Sequence, residues 1–180
     1  MNAAWSPGDL GIAGSVLDVV RAPHPVLATE CAEVDPTDPS VVELAADLVA
    51  TMRVCPGCVG LAAPQVGVAA QMFALDVTGH PKTRTCHGVL VLCNTVVVDA
   101  TRKEKAREGC MSVPDLTGDV RRATRLTVAG VLPGTTEPVT VETDGFEARA
   151  MQHEIDHCAG LLFLDRVAGA HAVFPRKVYL

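Results

Sequence analysis

From Val54 to Leu75 the chain carries no charged side chain, a run long enough to cross a bilayer. Pro56 and Pro64 would break a helix there, and Gln65 and Gln71 would be stranded in lipid. The run is therefore expected to be buried polypeptide in a soluble protein, and the rest of the chain has to supply a core that covers it. A chain of 180 residues and 18.8 kDa, 48% hydrophobic and 20% charged, can do so as one ordinary domain and is not disordered or fibrous. The expected organisation is a single domain over 1–180, with the Gly/Ala-rich residues 1–18 as a loose lead-in. Fifteen basic residues against twenty-one acidic give a net charge of −6, so neither nucleic acid nor an anionic membrane is an expected partner. Arg21 is the first basic residue, so the opening lacks the charge of a secretory signal, and seven cysteines are an odd number. Reduced thiols in the cytoplasm are expected rather than a disulfide framework.

Asp38 and Pro39 read as N-cap and first helical residue, and Val42, Leu44, Ala45, Leu48, Val49 and Met52 follow at helical spacing, which predicts a helix over 39–54. Gln71 to Val77 and Val89 to Asp99 are β-branched runs bounded by turn residues and predict strands. The mixed charges of Arg102 to Arg107 predict a solvated loop. Arg125 to Leu132 and Val139 to Thr143 alternate around Pro133 and Gly134 as antiparallel strands, and Glu147 to Cys158 predicts a helix stopped by Gly160. Strands in blocks with two separate helices indicate an α+β fold.

The last helix carries His153-Glu154-Ile155-Asp156-His157, an H-E-x-x-H. Residues four apart stack on one helix face, so both imidazoles can reach one metal ion. Glu154, turned by about 100° from His153, lies beside such an ion rather than on it, where a base for an attacking water belongs. The rival reading, two surface histidines, is disfavoured because Met151, Ile155, Leu161 and Leu162 suggest a buried helix. A catalytic site needs a third protein ligand. No Glu follows Glu154, and Phe163 stands where a metzincin has its third histidine, so both protease classes fail. Asp165 and His171 remain conceivable ligands, although Asp165 with Arg166 is more simply a surface pair. Upstream, Cys110 in Glu108-Gly109-Cys110-Met111-Ser112 makes a credible set with the histidines, and Gly60-Leu61-Ala62-Ala63-Pro64-Gln65 offers close backbone approach and an amide donor for a developing oxyanion.

These three segments, in this order, closely resemble the signature motifs of the peptide deformylase family: G-φ-G-φ-A-A-x-Q, E-G-C-φ-S and H-E-φ-D-H, with φ apolar. The resemblance extends more loosely from Val20 to Val167 and includes Pro25-Val26-Leu27 and the pair Val120 and Arg122. It implies an α+β fold with antiparallel β-sheets packed around a central helix carrying the H-E-x-x-H. It also implies removal of the formyl group from the N-terminal formylmethionine of new polypeptides. Cys110, His153 and His157 would bind one divalent ion, Fe²⁺ in the cell with Ni²⁺, Co²⁺ or Zn²⁺ as substitutes. Glu154 would act as general acid and base, Gln65 and the Met111 backbone N–H would line the oxyanion hole, and Gly60 would bond the substrate backbone. Val59, Leu61, Glu108, Gly109, Ile155 and Cys158 are candidate substrate contacts, and some of Val59, Leu61, Ile155 and Cys158 are expected to line an apolar methionine pocket. Nascent formylmethionyl peptides, and transiently the ribosome, are the expected partners of a monomer. Only 23 residues follow His157, which leaves little room for the long basic C-terminal helix that some relatives dock on the ribosome.

Several positions depart from the family pattern: Cys58 for the first Gly, Met111 and Cys158 for Leu, Ala28 for Arg and His24 for Asp. None is an expected ligand, so they bear on pocket shape rather than on the reaction. Cys55-Pro56-Gly57-Cys58 has redox or half-zinc-knuckle spacing but no second half, which favours structural thiols. Cys31, Cys86 and Cys93 read as small hydrophobes, and His24, His80, His87 and His171 as exposed residues without a role. Alternatives within this frame are a paralogue with another N-formyl substrate, an inhibitor-tolerant duplicate and, least favoured because Glu154 is retained, a silent binding module.

Overall fold

Helix α1, Pro39–Val54, begins where the Asp38 carboxylate accepts the Ser40 backbone N–H at 2.8 Å, with Pro39 supplying a preset first turn. Val42, Ala45, Leu48, Val49 and Met52 then form the stripe that the period predicts, all buried. The computed structural model describes Trp5 and residues 11–177.

The strands are β1, Gly60–Ala62; β2, Met72–Leu75; β3, Leu90–Cys110; β4, Val113–Val131; β5, Pro138–Asp144; and β6, Val173–Pro175. They join in one antiparallel sheet ordered β1-β2-β3-β4-β5, with β6 on β4. The α+β expectation holds, with one continuous sheet in place of several. Helix α2, Gly145–Cys158, packs against β1, β2, β4 and β5, while α1 covers the other face of β1 and β2. Successive side chains therefore serve different cores. Phe73, Leu75, Leu90 and Leu92 turn toward α2, and Met72, Ala74, Val91 and Cys93 turn toward α1. The charge-free run ends inside this doubly covered layer, with Leu61 to Gln65 and Met72 to Leu75 buried but Val54 and Val68 exposed. Among the described residues no helix is long and apolar enough to cross a membrane.

Two expectations fail. Arg102 to Arg107 is not a loop but lies within the second half of β3, with Lys103 to Arg107 paired against Ala123 to Asp119 of β4. Most of this arm is exposed, so its side chains lack the one-sided burial that writes alternation into a sequence. The lead-in is not loose where it is described. Trp5 is buried, donates its indole N–H to the Pro133 carbonyl at 3.1 Å, and donates its backbone N–H to Val89. Ser15 and Leu17 donate backbone N–H groups to Asp47 and Thr51 of α1, and a Cβ on Gly14 would lie 2.1 Å from the Ala46 carbonyl oxygen. Backbone contacts of this kind leave no periodic signature.

Candidate metal centre

Phe146, Arg149, Ala150, His153, Glu154 and His157 recur at the three- and four-residue spacing of one helical stripe, and on α2 that stripe faces β1 and the β3–β4 turn. Cys110 enters from the opposite side, at the end of β3, where a register irregularity between Gly109 and Cys110 precedes the turn at Met111 and Ser112. One donor atom each from Cys110, His153 and His157 lie within 4.8 Å of one another, and Cys110 Sγ is 3.2 Å from His157 Nε2. Asp165 and His171 are absent from this group. Asp165 instead accepts the Leu162 backbone N–H, and Arg166 binds Asp156 rather than its neighbour.

A chain of buried charges fixes the donors. His153 Nδ1 faces Glu108 Oε2 at 3.0 Å, which leaves its Nε2 for the centre. Arg122 donates to both Glu108 oxygens at 2.9 Å and also to Asp156, which in turn accepts from Arg166 at 2.7 Å. Glu108 lines the cavity as expected, but both its oxygens are engaged in this chain. Burial raises the Glu108 carboxyl, yet hydrogen bonds and charge from His153 and Arg122 outweigh it and hold its pKa at about 2. The Arg122 bridge had no sequence signal beyond its V-x-R spacing.

Gln65 lies on the 3₁₀ turn Ala63–Val66, which Gly67 closes at φ +86°. Its Oε1 accepts the Ala62 N–H, and its Nε2 donates to Cys110 Sγ at 3.3 Å and to Ser112 Oγ at 3.2 Å. A Cβ at Gly60 would stand 2.5 Å from Glu154 Oε1, so any other residue there would displace the Glu154 carboxylate. Glu154 Oε2 is buried without a partner. Burial, chiefly, pushes the Glu154 pKa up to about 7.

Gln65, Gly60, Val59, Glu108, Gly109, Cys110, Met111, His153 and Glu154 all line one cavity of about 230 Å³. Leu61, Ile155 and Cys158 do not. Strand alternation turns Leu61 into the α1 core, fully buried. Ile155 is about 200° around the helix from His153, and Cys158 lies beyond the floor against Met72, so both line a separate cavity of about 80 Å³. The sequence also missed part of the wall: Phe146, Arg149, Ala150, Arg107, Arg176 and Cys58. The spacing of Phe146, Arg149 and Ala150 from His153 could have found three of them. The wall is thus less apolar than expected. Cys55 to Cys58 forms a tight turn, with Gly57 at φ +71° and the Cys58 thiol donating to the Gly60 carbonyl at 3.1 Å. Burial, helped by the charge of Glu154, pushes that thiol up to about 12. All seven cysteines are free; Cys86 is exposed, unlike Cys31 and Cys93. His87 is not idle either, since its Nδ1 meets the buried Glu147 carboxylate at 2.8 Å, and His80 stacks on Phe146.

A thiol and two imidazoles are a donor set suited to a divalent transition-metal ion. The two imidazoles are held in different charge states: burial opposes a charged His153, but hydrogen bonds to Cys110 and Glu108 and the charge of Glu154 outweigh it and lift the His153 pKa to about 10, whereas burial and the charges of His153 and Arg122 push His157 well below the usual imidazole range. An H-E-x-x-H helix facing a strand cysteine, with a free carboxylate oxygen beside the donors, defines the class of single-ion metallohydrolases. The family model for polypeptide deformylase matches residues 16–172. The peptide deformylase of Desulforudis audaxviator is 42% identical over 165 residues, covering 91% of this chain and 99% of that protein. Among solved structures, the peptide deformylase of Thermotoga maritima superposes with a TM-score of 0.76 at 30% identity, covering 86% of this chain and 99% of its own. A Met-Ala-Ser-bound class I type b peptide deformylase from Acinetobacter baumannii gives 0.77 at 30% identity, covering 85% and 100%. The chain belongs to the polypeptide deformylase family.

Proposed function

We propose that the chain hydrolyses the formyl C–N bond of N-terminal formylmethionine on newly made polypeptides, leaving formate and a free α-amine. The observation that carries the reading is the convergence of Cys110, His153 and His157 beside a Glu154 oxygen that has no other partner. These three residues would hold one divalent ion, with Fe²⁺ expected and Ni²⁺, Co²⁺ or Zn²⁺ as substitutes. When bound, the ion supplies Lewis acidity toward the formyl oxygen and the attacking water. Glu154 takes the proton of that water and returns it to the departing amine nitrogen. Gln65 Nε2, on turning one of its two N–H bonds away from Cys110 Sγ or Ser112 Oγ, and the Met111 backbone N–H donate toward the formyl oxygen as it gains charge. Gly60, lacking a Cβ, lets the substrate backbone lie against β1 and leaves the Glu154 carboxylate its place beside that strand. The Glu108–Arg122–Asp156 bridge keeps His153 in one orientation, so its donor nitrogen needs no reordering during turnover.

We place this activity in a monomeric single-domain cytoplasmic enzyme that meets nascent chains, and transiently the ribosome. The test is formate release from formyl-Met-Ala-Ser by anaerobically prepared protein supplied with Fe²⁺ or Ni²⁺. Stoichiometric formate with free Met-Ala-Ser is expected, and no turnover with either ion overturns the reading.

A further inference from the structure

The segment around β6 brings a side chain to the metal centre from a part of the chain that none of the motifs covers. Arg107 of β3 lies over the Phe174 ring, 3.7 Å from its centroid, and Thr117 donates its hydroxyl to the Phe174 carbonyl at 3.4 Å. The Arg176 backbone N–H donates to Asp115 at 2.8 Å, so Arg176 leaves β6 from an anchored backbone. Its guanidinium crosses the end of β3. Nη2 donates to the Cys110 carbonyl at 3.3 Å, and a Cβ on Gly109 would run into it. Among the described residues no carboxylate lies within ion-pair distance of Arg176, although its side chain is exposed. Its partner is thus a backbone carbonyl rather than a surface acid. Cys110 and Met111 share one planar peptide unit, so whatever holds the Cys110 carbonyl also sets the direction of the Met111 N–H. The register irregularity at Gly109 and Cys110 interrupts the ladder there, and among the described residues the Met111 N–H has no backbone acceptor. Sheet pairing therefore constrains this peptide least where two site groups depend on it, the Cys110 thiol and the Met111 N–H. A guanidinium on the carbonyl fixes the peptide plane and, being charged, polarises the amide so that its N–H donates more strongly.

We propose that Arg176 is a positioning residue that holds the Cys110–Met111 peptide, steadying the thiol ligand on one side of it and aiming the oxyanion N–H on the other. It acts through that peptide and touches neither the formyl group nor the ion. The N–H half rests on the deformylase reading and the thiol half does not, so each has its own readout. The parent, Arg176→Ala and Arg176→Lys are loaded anaerobically with Co²⁺, and the thiolate-to-Co²⁺ charge-transfer absorption and the rate at which a chelator strips the ion are measured. Then kcat and KM are determined on formyl-Met-Ala-Ser, with urea unfolding of the same samples.

Arg176→Ala should lower kcat about tenfold with KM held within about twofold, the size expected for a group that orients a metal ligand from outside. Its thiolate band should shift, and Co²⁺ should be stripped about tenfold faster than from the parent. The urea midpoint should stay put, because the side chain is exposed. Arg176→Lys should recover most of kcat, band and ion retention, since an ammonium can donate to the same carbonyl. Parent values of kcat, band and stripping rate in Arg176→Ala overturn the inference. A rise in KM with kcat and the band unchanged also overturns it, because Arg176 would then be holding the substrate instead. If the parent itself turns over no formyl-Met-Ala-Ser, the deformylase reading fails, while the thiolate band still decides the hold on Cys110.

Discussion

Helices α1 and α2 are of similar length, 16 and 14 residues, and both press into the same sheet, yet they bury opposite chemistry. The inward face of α1 is apolar apart from Thr51. Around its circumference α2 buries Glu147, Glu154, Asp156 and His157. Buried charge is tolerated where it is paired, and on α2 nearly all of it is: Glu147 with His87 and Thr143, Asp156 with Arg122 and Arg166. The unpaired atoms in these side chains, Glu154 Oε2 and His157 Nδ1, sit on the residues assigned to the reaction. Stability and chemistry are thus assigned to different helices, and apart from Arg149 Nε the unmatched polar atoms of α2 mark where the chemistry falls.

That division can be broken residue by residue. Glu154→Gln keeps shape but cannot carry a proton, so turnover should fall roughly 10²- to 10⁴-fold with metal content unchanged, read by formate release beside metal analysis. Arg122→Leu leaves Glu108 and Asp156 short of a buried counter-charge and should cost about 3–5 kcal/mol in urea unfolding. An unchanged midpoint would show that the bridge is not structural. On α1, Leu48→Ala removes a fully buried side chain and should cost about 2–5 kcal/mol while kcat per folded molecule holds. A selective loss of kcat there would erase the distinction between the helices. Lys105→Ala, on the solvated arm of β3, removes a charge whose 3.6 Å contact with Asp119 lies in water, and should change stability by no more than about 0.5 kcal/mol.

The same contrast governs what could be read beforehand. α1 was legible because an Asp-Pro start and a one-sided apolar stripe are local signals that tertiary packing only confirms. The H-E-x-x-H spacing placed two imidazoles on one face of α2 for the same reason, and Cys110 was found only as part of a motif set. Of the pocket candidates Val59 lines the cavity while Leu61, Ile155 and Cys158 do not, because closeness in sequence to Gly60 or His157 says nothing about which side of a strand or helix faces it. Arg176 reaches the wall from a segment far from the motifs, Arg107 stands directly before Glu108 but reads as the end of a mixed-charge loop, and Arg122 acts through a bridge spanning β3, β4 and α2, which no local pattern records. Trp5 was missed because a tethered segment without regular structure carries no period.

The central claim is that Cys110 closes a metal site with His153 and His157, and metal content under anaerobic conditions tests it most directly. The parent, loaded with Fe²⁺ or Ni²⁺ and desalted, should retain about one ion per chain, and Cys110→Ala should lose most of that ion together with its turnover. Full retention of the ion with normal formate release in Cys110→Ala would contradict the assignment.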